Sequence, residues 1–289
     1  MTDTPSPEPA PLPASYQLVS ANRSFAQRAA MALADISQTI SLWRLVWTLS
    51  VFDIRLRYRG SVLGPLWLTL STAVMIVALG FLYSQLFHIS LTDFLPFISL
   101  SLVLWTFLST IVAEGCLCFT GQEAMLRAMR MPLSMHAARV VIRNVFVLGH
   151  NILVVVLVFA IMRLLPGKYI FLEIPAFALW MIDAFATCLI LGVFCARFRD
   201  VPPIVTSVMQ IAFFVTPVIW SPALIQHRGR IFLETWNPMF DLLDIIRAPL
   251  LNTPISGTIW MIALGYSTLL VLAASYVFMR FRPRVTYWI

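Results

Sequence analysis

Residues 201–220 read VPPIVTSVMQIAFFVTPVIW, and within them Thr206, Gln210, Phe213, Pro217 and Trp220 recur at three-four spacing, with Phe214 beside them. On a helix these residues share one face. A stripe of hydroxyl, amide and aromatic groups suits sliding sugars, because rings stack on the CH-rich faces of pyranoses while polar groups exchange hydrogen bonds without trapping the polymer. The same spacing also describes a helix packed against its neighbours, and the pattern alone does not separate the two.

A second stretch, DIRLRYRGSVLGP at 53–65, sets Arg55, Arg57 and Arg59 at alternate positions ahead of Gly60, Gly64 and Pro65 and a long uncharged run. Arginines beside an apolar segment hold that end on the cytoplasmic side. The glycines and the proline supply a turn into the segment. Glu114 and Asp183 fall inside apolar segments, with His150 and Asn151 next. Intramembrane polar groups are functional candidates by default, although a structural role is the simpler reading here, and Glu114 can reach water or a basic partner. Asp241 and Asp244 have a DxxD spacing that could hold a metal, but Leu242, Leu243, Ile245 and Ile246 surround them, so no metal site and no catalytic residue is expected. No GxxxxGK[ST] phosphate loop occurs, since Gly167-Lys168 lacks both the preceding glycine and a following Ser or Thr, and HExxH and GxSxG are also missing.

The elements that must position these groups follow from composition. Of 289 residues, 60% are hydrophobic and 11% charged, with a mean hydropathy of +0.87, which marks a multi-pass membrane protein. Six segments can supply the roughly 20 apolar residues of a span: 63–87, 94–120, 137–163, 170–196, 203–221 and 255–279. The expected fold is all-α: six transmembrane helices over 61–282, an amphipathic interfacial helix over 37–60, and short re-entrant helices before the last span. Residues 1–36 are expected to be a disordered proline-rich tail and 283–289 a short C-terminal tail. The net charge of +7 does not describe a nucleic-acid-binding face, because the basic residues sit beside spans. With a cytoplasmic N-terminus, 15 of the 20 basic residues face inward, and both termini are cytoplasmic. Cys116, Cys118, Cys188 and Cys195 lie within spans and read as small lipid- or helix-facing residues.

On a helical wheel of 37–59, Arg44, Thr48, Arg55 and Arg59 fall within about 60° of one another. Ile40, Trp43, Val46, Trp47, Val51, Ile54 and Tyr58 gather on the remaining face, an arrangement suited to lying in the membrane interface. Asp53 and Arg57 fall off the polar stripe. The loop GQEAMLRAMRMPLSMHAAR (121–139) reads as a short cytoplasmic helix with an adaptable, methionine-bearing surface. MFDLLDIIRAPLL (239–251) reads as an amphipathic or re-entrant helix.

Several of these stretches resemble the transmembrane subunit of the ABC exporters that move O-antigen, capsular polysaccharide or teichoic acid precursors, a group of type-2 ABC permeases. Arg55, Arg57, Tyr58, Arg59, Gly60, Ser61 and Gly64 of RLRYRGSVLG match the family's RYRGSxLG signature. ARFRDVPPIV (196–205) is similar to its turn into the fifth span, TPVIW (216–220) to its T-P-V-I segment, and NPMFDLLDIIRAPLL (237–251) to the segment before its last span.

The resemblance implies a homodimer in the bacterial inner membrane that binds two copies of a separate ATPase, which holds ATP and Mg. This chain is then neither an enzyme nor a holder of a cofactor, and it contacts membrane lipids but no nucleic acid. Gln122, Glu123, Leu126, Arg127, Arg130 and Met131 would couple to the ATPase. Arg55, Arg57, Tyr58 and Arg59 would receive the diphosphate of a lipid-linked glycan. Thr206, Gln210, Phe213, Phe214, Pro217 and Trp220 would line the channel, and Asn237, Pro238, Arg247 and Pro249 would belong to a gate near the periplasmic exit. The same architecture could carry teichoic acid, a drug or a lipid. A membrane glycosyl- or prenyl-transferase would need an acidic motif on a reactive loop, where the inside loops offer chiefly Glu123 and Asp200.

Overall fold

A computed structural model describes residues 24–62, 64, 66–129, 131–165, 167–222, 235–254 and 256–289, and every regular element among them is a helix. Five helices are long and apolar enough to cross a membrane: α3 (Leu66–Phe87), α4 (Leu91–Cys116), α6 (Leu133–Ile161), α7 (Glu173–Arg197) and α10 (Gly257–Trp288). Further α-helices among the described residues are α1 (Phe25–Ser41), α2 (Trp43–Arg57), α5 (Glu123–Ala128), α8 (Val201–Val215) and α9 (Pro238–Leu250), with short 3-10 helices at Thr120–Gln122 and Lys168–Leu172. The chain is therefore an all-α polytopic membrane protein.

Three expected boundaries differ. The expected span over 203–221 is the 15-residue α8, about 22 Å long at 1.5 Å per residue and short of the roughly 30 Å hydrocarbon core. Thr216 leaves the helix with an extended ψ of 138°, because the ring of Pro217 disfavours helical geometry in the residue before it. At the N-terminal end, the described part of the expected tail is helical: α1 starts from a capping box in which the Ser24 hydroxyl accepts from the Gln27 N–H and the Gln27 side chain accepts from the Ser24 N–H. A break at Leu42 separates α1 from α2, so the single interfacial helix expected over 37–60 is two. At the far end, α10 continues through Pro283 to Trp288, where a tail was expected.

The core is the packing of α4 between α6 and α7, closed by α10 against α7. Val103, Phe107, Ile111, Trp180 and Leu189 are among its buried side chains. Trp180 stacks on Phe107 at 5.5 Å between ring centroids and donates its indole N–H to the Leu242 carbonyl at 2.8 Å. All four cysteines are buried and reduced. They face protein and not lipid, with the Cys118 Sγ 3.3 Å from the Cys188 carbonyl oxygen.

Glycines set how closely α4 and α7 approach. A Cβ on Gly192 would run into the Cys118 Sγ and the Phe119 ring, and one on Gly115 would sit 3.3 Å from the Cys188 backbone. Phe119 is fully buried, and its ring and the Cys118 side chain would both have to shift to admit the methyl group. Gly192→Ala is expected to cost about 1–3 kcal/mol by overpacking, measured as a lower thermal midpoint of the purified protein in detergent micelles. A wild-type midpoint would show that the seam has slack.

One end of the bundle carries α1, α2, α5 and most of the arginines, and the other carries α9. Between α2 and α3 the chain turns at Gly60 and Gly64, whose φ values of +85° and +55° lie in the left-handed region that glycine adopts without penalty. α9 is buried along most of its length, including Phe240, Leu243, Ile245 and Ile246. It is thus a short helix held within the protein, as the re-entrant reading of 239–251 expects. By contrast, α3 exposes Trp67, Leu70, Val74, Val77 and Phe81, and α8 buries no residue.

Candidate functional site

A cleft of about 580 Å³ opens between α4 and α8 and is lined by Trp105, Ser109, Thr110, Thr206, Gln210 and Phe213, among others. Phe214 also lines it, so four of the six stripe residues share this wall. The other two do not. Pro217 and Trp220 lie beyond the end of α8: Pro217 is buried, and the Trp220 indole N–H turns back to the Phe214 carbonyl at 3.1 Å. A wheel drawn over an unbroken helix cannot place them, because the helix stops at Val215.

The cleft's chemistry is mixed. The hydroxyls of Thr206 and Thr110 donate to carbonyls of their own helices, Pro202 at 3.0 Å and Thr106 at 2.7 Å, leaving their oxygens as acceptors. Gln210 is exposed and makes no hydrogen bond among the described residues. Trp105 and Phe213 lie 5.7 Å apart between ring centroids and offer ring faces and edges. Trp105, Ser109 and Thr110 come from α4, outside the stripe read from sequence. They occur at a three-four spacing only in part, and nothing in one dimension announces that α4 faces α8.

At the end bearing α9, Arg247 is 2% exposed. Its guanidinium donates to Asp244 at 2.8 Å, to the Pro217 carbonyl at 2.8 Å and to the Ser101 hydroxyl at 3.1 Å. It lies 4.6 Å from the Phe97 ring centroid, within cation–π range. Asn237 caps α9 by accepting from the Phe240 N–H at 3.2 Å and donates to the Thr216 hydroxyl at 3.0 Å. Pro238 stands in the first turn, where a missing N–H costs nothing, and Pro249 is buried near the helix end. Of the four residues expected at a gate, Asn237 and Arg247 tie the end of α8 to α9 and α4, and the two prolines belong to the ends of α9. Arg247 is an internal anchor with no surface to offer a passing ligand.

At the arginine-rich end, the two residues that fitted neither face of the wheel find their explanation. Ser50, Asp53 and Arg57 form a third face of α2 turned toward α4 and α6, and Val46, expected on the interfacial apolar face, is buried along with Ser50. Asp53 accepts from Arg139, by both carboxylate oxygens, and from Arg143 at 3.1 Å. Glu114 accepts from Arg57 at 2.6 Å, Arg143 at 2.6 Å and Asn144 at 2.6 Å. Asp35 on α1, which sequence reasoning passed over, accepts from the Ser134 N–H at 2.9 Å and the Leu133 N–H at 3.2 Å and pairs with Arg282 at 2.7 Å. One available signal is its position on the stripe Ala32, Asp35, Thr39, all buried.

Of the residues expected to receive a diphosphate, Arg55 and Arg59 are exposed and unpaired among the described residues, Tyr58 is half-buried at the end of α2, and Arg57 is bound to Glu114. The structure thus separates them. Among the expected coupling residues, Glu123 and Arg127 form an exposed pair at 2.8 Å on α5. Gln122 accepts from Arg139 at 3.1 Å, Leu126 packs inward and Met131 is half-buried. Arg130 lies outside the described residues.

Residues 44–251 match the family described as ABC-2 type transporter. The chain belongs to that family. The match takes in α2, the α4–α8 cleft, α5 and the Arg247 anchor of this ABC-2 transporter, while Asp35 and Arg282 lie outside it. Its relatives include the O-antigen export system permease protein RfbA of Myxococcus xanthus, 27% identical over 230 residues, which cover 78% of this chain and 88% of that one. Two proteins of the same name from Klebsiella pneumoniae are 20% and 19% identical over 207 residues, covering 70% of this chain and 78% of each.

Proposed function

We propose that this ABC-2 transporter is the membrane subunit of an ATP-driven exporter that moves a lipid-linked polysaccharide of the O-antigen or capsule type across the inner membrane. The observation that carries the reading is the α4–α8 cleft: an unpaired amide, hydroxyl oxygens and aromatic rings on a membrane helix that buries none of its own residues. An exposed amide facing lipid is costly, whereas one facing polar cargo or a second subunit is satisfied. The relatives' O-antigen export names add weight in the same direction.

Energy would come from two copies of a partner ATPase that carry the ATP and Mg. The exposed surface of α5, with Glu123 and Arg127 at its centre, is the docking surface, and the arginine-rich end with both termini faces the cytoplasm. Two copies of the chain pair through the sparsely buried α3 and α8. When the ATPases close, α5 moves with them, and α3 and α8 of the two copies part to open the path. Arg55 and Arg59, exposed and unpaired among the described residues, draw phosphate-bearing cargo to the surface, and the Arg247 anchor holds the far end while α8 moves.

The test is where glycan accumulates when the chain is depleted, using labelled lipid-linked polymer and separating cytoplasmic from surface pools. The expected result is polymer trapped inside with synthesis intact. Unchanged surface glycan with nothing trapped would reject the polysaccharide assignment. Gln210→Trp, which fills the cleft from an exposed position, is expected to cut surface glycan at least tenfold with the protein level unchanged. Full export by this variant would remove the cleft from the path.

A further inference from the structure

Behind Arg57 lies a cavity of about 200 Å³, distinct from the α4–α8 cleft and walled by α2, the end of α4, the 3-10 helix Thr120–Gln122 and the start of α6. Its polar lining is Arg57, Arg139, Arg143, His136, Gln122 and Glu114. Three guanidiniums stand against the carboxylates of Glu114 and of Asp53, which lies behind Arg139 and Arg143. That leaves one positive charge in excess. Glu114 is occupied by Arg57, Arg143 and Asn144, so its oxygens do not stand free against an incoming anion.

His136 supplies the second observation. It is 1% exposed, and neither ring nitrogen has a hydrogen-bond partner. Buried polar groups are almost always paired, so an imidazole with both nitrogens idle in a polar cavity points to a group that the protein does not itself provide. Water would satisfy the imidazole alone, whereas an anion answers both the imidazole and the excess of guanidinium over carboxylate around it. Access is graded: the Arg57 side chain is 47% exposed at the mouth, and those of Arg139 and Arg143 are 8% and 12% exposed inside.

We infer that this cavity binds the phosphate group of a lipid-borne anion. The tetrahedral oxyanion accepts from the His136 ring and from guanidinium N–H groups that Asp53 and Glu114 leave unused, the geometry to which arginine forks are matched. Two sources present the same chemistry, a bilayer phospholipid headgroup and the diphosphate of the carried glycan. Only the second rests on the exporter reading. Arg55 and Arg59 then attract, and the cavity behind Arg57 receives.

The test uses the full-length chain in phosphatidylcholine nanodiscs, with bound molecules counted by native mass spectrometry. Farnesyl diphosphate is titrated in one arm and phosphatidylglycerol is mixed into the discs in the other, with farnesol as the phosphate-free control. One saturable phosphate-bearing molecule per chain is expected, with no retention of farnesol. His136→Phe keeps a ring and removes no hydrogen bond within the protein, so it is expected to melt like the wild type and to bind at least tenfold more weakly. Should it misfold, Arg57→Gln at the mouth is expected to show the same loss. Binding in the farnesyl diphosphate arm identifies the cargo as source, and binding in the phosphatidylglycerol arm alone identifies the bilayer. Phosphate-independent retention, no saturable binding in either arm, or wild-type affinity in the folded variant would overturn the inference. The exporter reading would still stand on its own glycan-location test.

Discussion

Asp35→Ala is expected to lower stability by about 3 kcal/mol, the lower end of the cost of breaking a buried ion pair, seen as a sharp drop in the thermal midpoint of the purified protein. The Asp35 side chain is fully buried and that of Arg282 is 26% exposed, so the arginine left behind keeps partial contact with water and the loss stays near that lower end. The carboxylate has a second task. It accepts from the Leu133 and Ser134 N–H groups and from the Ser134 hydroxyl at 2.6 Å, and so supplies from α1 the cap that Pro132, at the N-cap of α6, cannot. Asp35→Asn keeps an acceptor for α6 and loses the charge, and it is expected to cost less than the alanine. Removing Arg282 as well, by Arg282→Met, should give less than the sum of the two single losses. An alanine variant that melts like the wild type would show that α1 is not stapled to α6 and α10 through this residue.

Arg247→Met carries the other large expectation, about 3–5 kcal/mol. The methionine fills the aliphatic part of the volume but strands the Pro217 carbonyl, the Ser101 hydroxyl and Asp244, all of which the guanidinium now serves. The expected readout is a lower thermal midpoint, with surface glycan falling steeply at growth temperatures where the wild type exports normally. Adding Asp244→Asn removes the stranded charge and should recover part of the stability. Arg247→Lys keeps the charge but loses the fork and the stacking on Phe97, and it is expected to fall between the two. If Arg247→Met leaves both the melting curve and export intact, α8, α9 and α4 are not held together through this arginine.

Both sites show where one-dimensional reading stops. Asp35 and Arg282 are 247 positions apart, and Arg247 and Ser101 are 146 apart. Nothing in either local pattern names the partner. Asp53 and Arg57 were visible as residues out of place on a two-faced wheel, and the misfit was itself the signal of a third face. Its meaning needed Glu114, Arg139 and Arg143 from two other helices. Pro217 and Trp220 failed for a local reason: three-four spacing assumes an unbroken helix, and a proline had already ended it.

The sequence by itself determined that this is an all-α membrane protein, where five of its spans run, that a buried short helix precedes the last of them, and which face of α8 carries its polar and aromatic groups. These are properties of consecutive residues, because hydropathy, helical periodicity and proline geometry act over one span or one turn. Only the tertiary structure decided that α4 completes the cleft, that one of three alternate arginines turns inward, and that a buried carboxylate on α1 and half-buried ones on α2 and α4 tie the arginine-rich end together. Those outcomes depend on which faces meet. A buried charge has to find its counter-charge in space, wherever along the chain that partner happens to lie.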